Sequence, residues 1–234
     1  MPRVFIVLII VFFTGSIHSQ DTINLTGAYG RKEGFWRKTD STGQKIYEGN
    51  FVAGIPTGEF RYFYKDGSLK TSSVVSQKGK RAVTVSYFPN GKKLAAGNYL
   101  NEKKDSLWQF FSDITGSLVS EDFYKDGKIE GKSKVYYPEG GMSELKNYKQ
   151  GIPDGIWEQY FSDGKIKLRG AYKAGEKQGA FKTFSLAGRV TTSGQYKNGH
   201  QDGQWIYYDE EGAVIKKETF RNGMLLKTDE PAKK

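Results

Sequence analysis

GIWEQYFSDGKIKLRGAYKAGEKQ, residues 155–178, is the stretch whose reading decides the fold. Its pattern returns in register at Gly34, Gly58, Ala82, Ser106, Gly131, Gly155, Gly179 and Gly203, with steps of 24 residues and a single step of 25 after Ser106. A fixed period of this length marks a repeat architecture, which governs every other reading of the chain.

With the first residue of each copy as position 1, three aromatic columns stand out. Position 3 is Trp36, Phe60, Trp108, Trp157, Phe181 and Trp205, failing at Thr84 and Ser133. Position 6 is Phe63, Tyr87, Phe111, Tyr136, Tyr160, Phe184 and Tyr208. Position 18, counted past the inserted residue of the fourth copy, is Phe51, Tyr99, Tyr124, Tyr148, Tyr172, Tyr196 and Phe220. Glycine falls between the columns at position 10 (Gly67, Gly164), preceded by Asp66, Asn90 or Asp163 in three copies, and again at position 21 (Gly54, Gly175). Such dipeptides accept the positive φ of tight hairpin turns. Aromatic and β-branched runs bounded by Gly, Asp and Asn predict strands near positions 2–8 and 11–19, with Asp154-Gly155 and Asp202-Gly203 read among the closing turns.

The expected fold is therefore all-β: an elongated, twisted antiparallel sheet, a solenoid of successive ~24-residue hairpins that bury one another's aromatic columns. Positions 3 and 6 have opposite parity, so either both faces carry aromatics or a bulge brings the columns together. The repeat domain is expected over 25–226, with a half-unit at Leu25 to Tyr29 capping one edge and the strand from Ala213 to Phe220 forming the other. Lys216, Lys217 and Glu218 on that strand would discourage edge pairing. Residues 227–234 read as a polar tail.

Arg3 followed by the apolar run Val4–Phe13 and by small residues reads as a secretory signal peptide over 1–19, with cleavage after Ser19 or after Gln20; an uncleaved anchor is the alternative. The expected destination is thus outside the cytoplasm: periplasm, cell envelope or medium. The chain has no cysteine, so neither a disulfide nor lipid attachment through a thiol is open to it. Removing the leader leaves a net charge of +9, which suits an anionic partner or keeps a long sheet soluble. The basic residues are spread over all copies, which argues against nucleic acid.

The G-x-W-x-x-Y…D-G-x-[IL]…G-x-Y-x-x-G pattern resembles the MORN repeat over residues 27–223, and is most similar to the bacterial variant of the YwqK-like antitoxin family. The resemblance implies a sheet of hairpins and roles in protein association or, as in eukaryotic members, contact with phospholipids. The third copy departs most: Ala82-Val83-Thr84 replaces Gly-x-Trp, with Lys78 and Glu102 for the nearby glycines. A local bend is expected there.

No catalytic constellation is expected, and no metal or cofactor. His200 is read as a solvated residue in the turn Asn198–Gly203. Asp66, Asp126, Asp154, Asp163 and Asp202 all precede glycine, where turn geometry explains them. The DxDxDG calcium loop is absent. Asn24-Leu25-Thr26 is a glycosylation sequon by pattern. Aromatics at positions 5 and 7 do not repeat faithfully, as a packing column should. Tyr62, Tyr64, Phe88, Phe110, Tyr137, Phe161 and Tyr207 are therefore the candidate binding surface. The expected function is non-enzymatic binding of a protein along the sheet. The alternatives are peripheral binding to an anionic membrane and an exported immunity or antitoxin-like role.

Overall fold

The computed structural model describes residues 23–230; the leader with its two cleavage sites, and the last four residues of the tail, lie outside them. The described chain is one open antiparallel sheet of 19 strands, and contains no α-helix. The strands are β1 (Leu25–Thr26), β2 (Lys32–Thr39), β3 (Lys45–Val52), β4 (Ile55–Phe63), β5 (Leu69–Ser76) and β6 (Arg81–Tyr87). Next come β7 (Lys93–Leu100), β8 (Lys103–Phe111), β9 (Leu118–Lys125), β10 (Lys128–Tyr136), β11 (Met142–Lys149) and β12 (Ile152–Tyr160). The series ends with β13 (Ile166–Lys173), β14 (Glu176–Lys177), β15 (Gly179–Phe184), β16 (Val190–Lys197), β17 (His200–Tyr208), β18 (Val214–Arg221) and β19 (Met224–Asp229). Pairing follows chain order throughout, so the repeat reading holds: β1 bonds to β2, β9 to β10 and β18 to β19, with β14 and β15 together filling one strand beside β13.

The two ends of the hairpins use different turns. At positions 20 and 21 both central residues have positive φ (Ala174 48° and Gly175 91°, Asn198 48° and Gly199 78°), the two-residue type I′ connection whose twist matches its strands. At position 10 only the glycine is left-handed, except in the fifth copy, where Gly140 and Gly141 both are. Tyr64 N–H donates to Ser68 O and Gly67 N–H to Tyr64 O, closing a three-residue loop. Asp66 does not share the positive φ expected of it; its Oδ1 accepts from Ser68 N–H at 2.9 Å and Oγ at 2.6 Å. The extra residue of the fourth copy falls in the corresponding loop, before Gly116 (φ 76°).

The first strand of each copy begins before position 1 and not after it. Asp154-Gly155 and Asp202-Gly203 are not turns: they lie inside β12 and β17. The position 1 residue there is a bulge of positive φ, as at Gly58 (70°), Gly155 (110°) and Gly203 (70°), and the ladder slips beside it. The acidic or amide residue before the bulge reaches across to the next type I′ turn. Glu33 accepts from Ala53 N–H at 2.8 Å, Glu130 from Gln150 at 2.7 Å and Asp154 from Ala174 at 3.0 Å. The turn N–H of Ala174, helped by Lys173, holds the Asp154 carboxyl below its usual range.

Three other expectations are corrected. The bend expected at the third copy has no bulge behind it: β5–β6 pairs residue for residue, because Ala82 stands where the other copies adopt positive φ. The expected half-unit is only the two-residue β1 and a single 3₁₀ turn at Ala28–Gly30, which leaves Tyr29 94% exposed. The terminal edge is β19 and not Ala213–Phe220, so three residues of the expected tail are paired.

Candidate binding surfaces

A one-layer sheet has two faces, and ring contacts assign the columns to them. Positions 3 and 18 share one face and interlock along it. Tyr99 meets Trp108 edge-on at 4.9 Å, and Phe181 lies between Trp157 and Trp205 at 6.2 and 5.4 Å. All the most buried side chains belong to this tryptophan face: Phe51, Phe60, Ser73, Thr84, Ala95, Trp108, Trp157, Leu168 and Trp205. Position 6 lies on the opposite face, where Tyr160 donates to Glu158 at 2.6 Å and Tyr136 to Glu121 at 2.7 Å. The parity question is thus answered: both faces carry aromatics.

Position 16 sits across the ladder from position 3 of the next copy, and the two residues vary together. Where position 16 is Gly49, Gly97 or Gly194, the facing ring (Phe60, Trp108, Trp205) lies flat over it, and a Cβ there would fall under 3.0 Å from ring carbons; at Gly170 it would stand 3.2 Å from Trp157 and 3.3 Å from Phe181. Where position 16 is Ser73 or Asp122, the facing residue shrinks to Thr84 or Ser133. Lys146 opposite Trp157 departs from the rule, its ammonium 5.9 Å from the ring centroid. Lysines roof several rings: Lys104 stands 4.5 Å from Trp108, 4.6 Å from Phe110 and 4.9 Å from Tyr124, where burial lowers its pKa against the pull of Asp122.

The seven residues expected to form a binding surface fall into two places. Tyr62, Phe110 and Tyr207 extend the tryptophan face; Tyr62 packs beside Tyr47, Phe110 stacks on Trp108 and Tyr207 donates to Glu218 at 2.8 Å. Tyr64, Phe88, Tyr137 and Phe161 stand at the three-residue turns. There Tyr64 donates to Tyr87 O at 2.7 Å and Tyr137 to Tyr160 O at 2.6 Å, stitching consecutive copies. Of the seven only Tyr62 is exposed, and no ring pair joins two of them. His200 opens β17 and stands beside the Gly223 turn; among the described residues no three of His, Cys, Asp and Glu converge as a metal site.

Sequence reading missed the exposed apolar residues of the opposite face. Val74 and Val83 are cross-strand partners, 53% and 54% exposed, and so are Leu107 and Phe123, 45% and 47% exposed. The second pair floors a shallow cavity of about 640 Å³, rimmed by Lys132, Lys134 and Lys149 and by Glu121, Glu130 and Asp154. These positions (2 and 17) carry no fixed residue type, so a search for regular columns passes over them.

The tyrosine–carboxylate pairs set a pH response. Burial first, then the facing carboxylate, pushes Tyr136, Tyr160 and Tyr207 up to about 12. A raised folded-state pKa contributes stability that is complete below 10 and lost as pH rises through 12. Tyrosinate absorbance should therefore rise in two steps, the later one coinciding with loss of strand circular dichroism. Tyr136→Phe and Tyr160→Phe should diminish that later step.

These features define an open β-repeat protein built from stacked hairpins. The family model described as MORN repeat variant matches at three places, residues 129–150, 153–174 and 201–222. No curated protein matches the chain. Among solved structures, one described as the crystal structure of TarM is similar at 16% identity and a TM-score of 0.29, over 41% of this chain and 20% of that one. A likeness that slight carries no argument.

Proposed function

We propose that the protein is a non-enzymatic, exported scaffold that binds another protein on the face opposite the tryptophans. The observation that supports this most is the Leu107–Phe123 pair, apolar, uncovered and set in a rim of mixed charge. Apolar centres with polar rims are how protein interfaces are built. The rim holds three lysines and three carboxylates, a balance that suits a protein surface better than an anionic bilayer. The repeat variant and the apolar leader fit the bacterial antitoxin-like reading as well, with a toxin as the partner.

Cross-linked pull-down from cell envelopes tests the proposal. Wild-type protein should recover a partner that Leu107→Glu with Phe123→Glu loses by at least about tenfold, with unchanged circular dichroism. A partner retained by that variant, or flotation with anionic vesicles that the variant abolishes, would overturn it in favour of another surface or of the membrane.

A further inference from the structure

The tryptophan face is interrupted where the second copy meets the third, and the interruption has a floor of its own. In the second and third copies, positions 16, 3 and 18 hold Ser73, Thr84 and Val75, where Gly49, Phe60 and Phe51 stand one copy earlier. The missing rings leave a cavity of about 370 Å³, within the usual ~300–1,000 Å³ of small-molecule sites. Phe60 and Tyr62 wall one side and Tyr99 the other.

Loss of rings does not by itself demand polarity. Position 14 is filled by Ala95 and Leu168 in other copies, and both are buried there. Here the floor is four hydroxyls: Ser73 bonds Thr84 at 2.9 Å, and Thr71 bonds Ser86 at 3.2 Å. Each bonded pair uses one of its two O–H donors and one of its four lone pairs, so one donor and three acceptors per pair remain. Ser73 and Thr84 are 9% and 4% exposed, too little to spend that capacity freely on bulk water. No charge lies on the floor, and Lys80 and Glu102 on the lining oppose each other.

We infer that this cleft binds a neutral pyranose unit of a glycan. A sugar ring presents apolar C–H faces to aromatic side chains and a girdle of hydroxyls to hydroxyl partners, the two chemistries placed here side by side. A phosphate would want unopposed cations, and a divalent metal would want converging carboxylates; the lining has neither. The site lies on the other face from the protein-binding surface proposed above and does not depend on it.

Titration of the full chain with cellotetraose, maltotetraose, chitotetraose and mannotetraose, followed by methyl and amide NMR, tests the inference. At least one should bind with a dissociation constant of about 1 mM or tighter, shifting Thr71, Val75 and Thr84. The double variant Ser73→Gly, Thr84→Trp restores the ring-over-glycine pairing and fills the cleft; it should keep the strand spectrum and lose binding more than tenfold. Tyr62→Ala, at an exposed site, should also lose more than tenfold, and Leu107→Glu with Phe123→Glu should change nothing. If the filled variant does not fold, Tyr62→Ala and Thr84→Val decide in its place. No shift with any of the four sugars at 10-fold above that constant, retained binding in the filled variant, or saturable binding of inorganic phosphate at these residues would overturn it.

Discussion

Gly97→Ala is expected to destabilise the protein by about 1–3 kcal/mol, the range for forcing volume into a packed site. The backbone at Gly97 does not adopt the left-handed conformation, so the penalty is steric alone. An added Cβ meets three carbons of the Trp108 ring under 3.0 Å, and that ring is 3% exposed with its Nε1 bonded to Asn98 O at 2.9 Å. The ring has nowhere to retreat: Tyr99 and Tyr124 contact it edge-on and Phe110 stacks on it. Trp108→Thr alone should cost about 3–5 kcal/mol by leaving a cavity. Gly97→Ser combined with Trp108→Thr copies the Ser73–Thr84 pair and should be less destabilising than the sum of its parts by 1 kcal/mol or more, a coupling expected of direct contacts. Urea melts of the wild type, Gly97→Ser, Trp108→Thr and the double variant measure it; strict additivity would show that ring and glycine are packed independently. Because stability in stacked repeats is local, the loss should appear first in hydrogen exchange of β7 to β9 and hardly at all in β17 to β19.

The columns that made the fold legible are those in which one residue type must recur because its neighbour above and below recurs. Trp157, Tyr172 and Gly175 belong to such rows, and their period was enough to foresee successive hairpins in one antiparallel sheet. What the period did not reveal was the phase of the strands within it. Asp154-Gly155 carries the signature of a turn, yet the neighbouring turn lies at Gln150-Gly151, and the dipeptide is a bulge whose carboxylate ties down the next turn at Ala174-Gly175. Both sites need left-handed backbone, and glycine alone does not tell a reversal from a bulge. The binding surfaces were hidden for the opposite reason. Irregular aromatics such as Tyr64 and Tyr137 looked free because they do not recur, but a hydroxyl bonded to the next copy needs to recur only where that bond is made. Leu107 with Phe123, and Ser73 with Thr84, are residue pairs that no other copy repeats, although strand register sets the same positions side by side throughout.

Gly155→Val is expected to cost about 2–3 kcal/mol, and it tests the bulge directly. At φ 110° the backbone occupies ground that a β-branched residue adopts only under strain. The new side chain would also press on Asn147, whose Cβ and Nδ2 stand 3.2 and 3.3 Å from where a Cβ must go. Gly131→Ser is the matched control: φ is 77° with nothing within 4 Å, and Ser106 already holds the equivalent place at φ 60°. That change should cost no more than about 1 kcal/mol, less than the valine by a margin a denaturant melt resolves. Were Asp154-Gly155 an ordinary solvent-facing turn, valine there would disturb only that reversal. With the bulge, Gly155→Val should also detach the Asp154 carboxylate from Ala174 N–H and speed hydrogen exchange at Ala174 and Gly175, twenty residues along the chain. Equal stability of the two variants, or unchanged exchange at Ala174, would show that the bulge and the next turn are not mechanically joined.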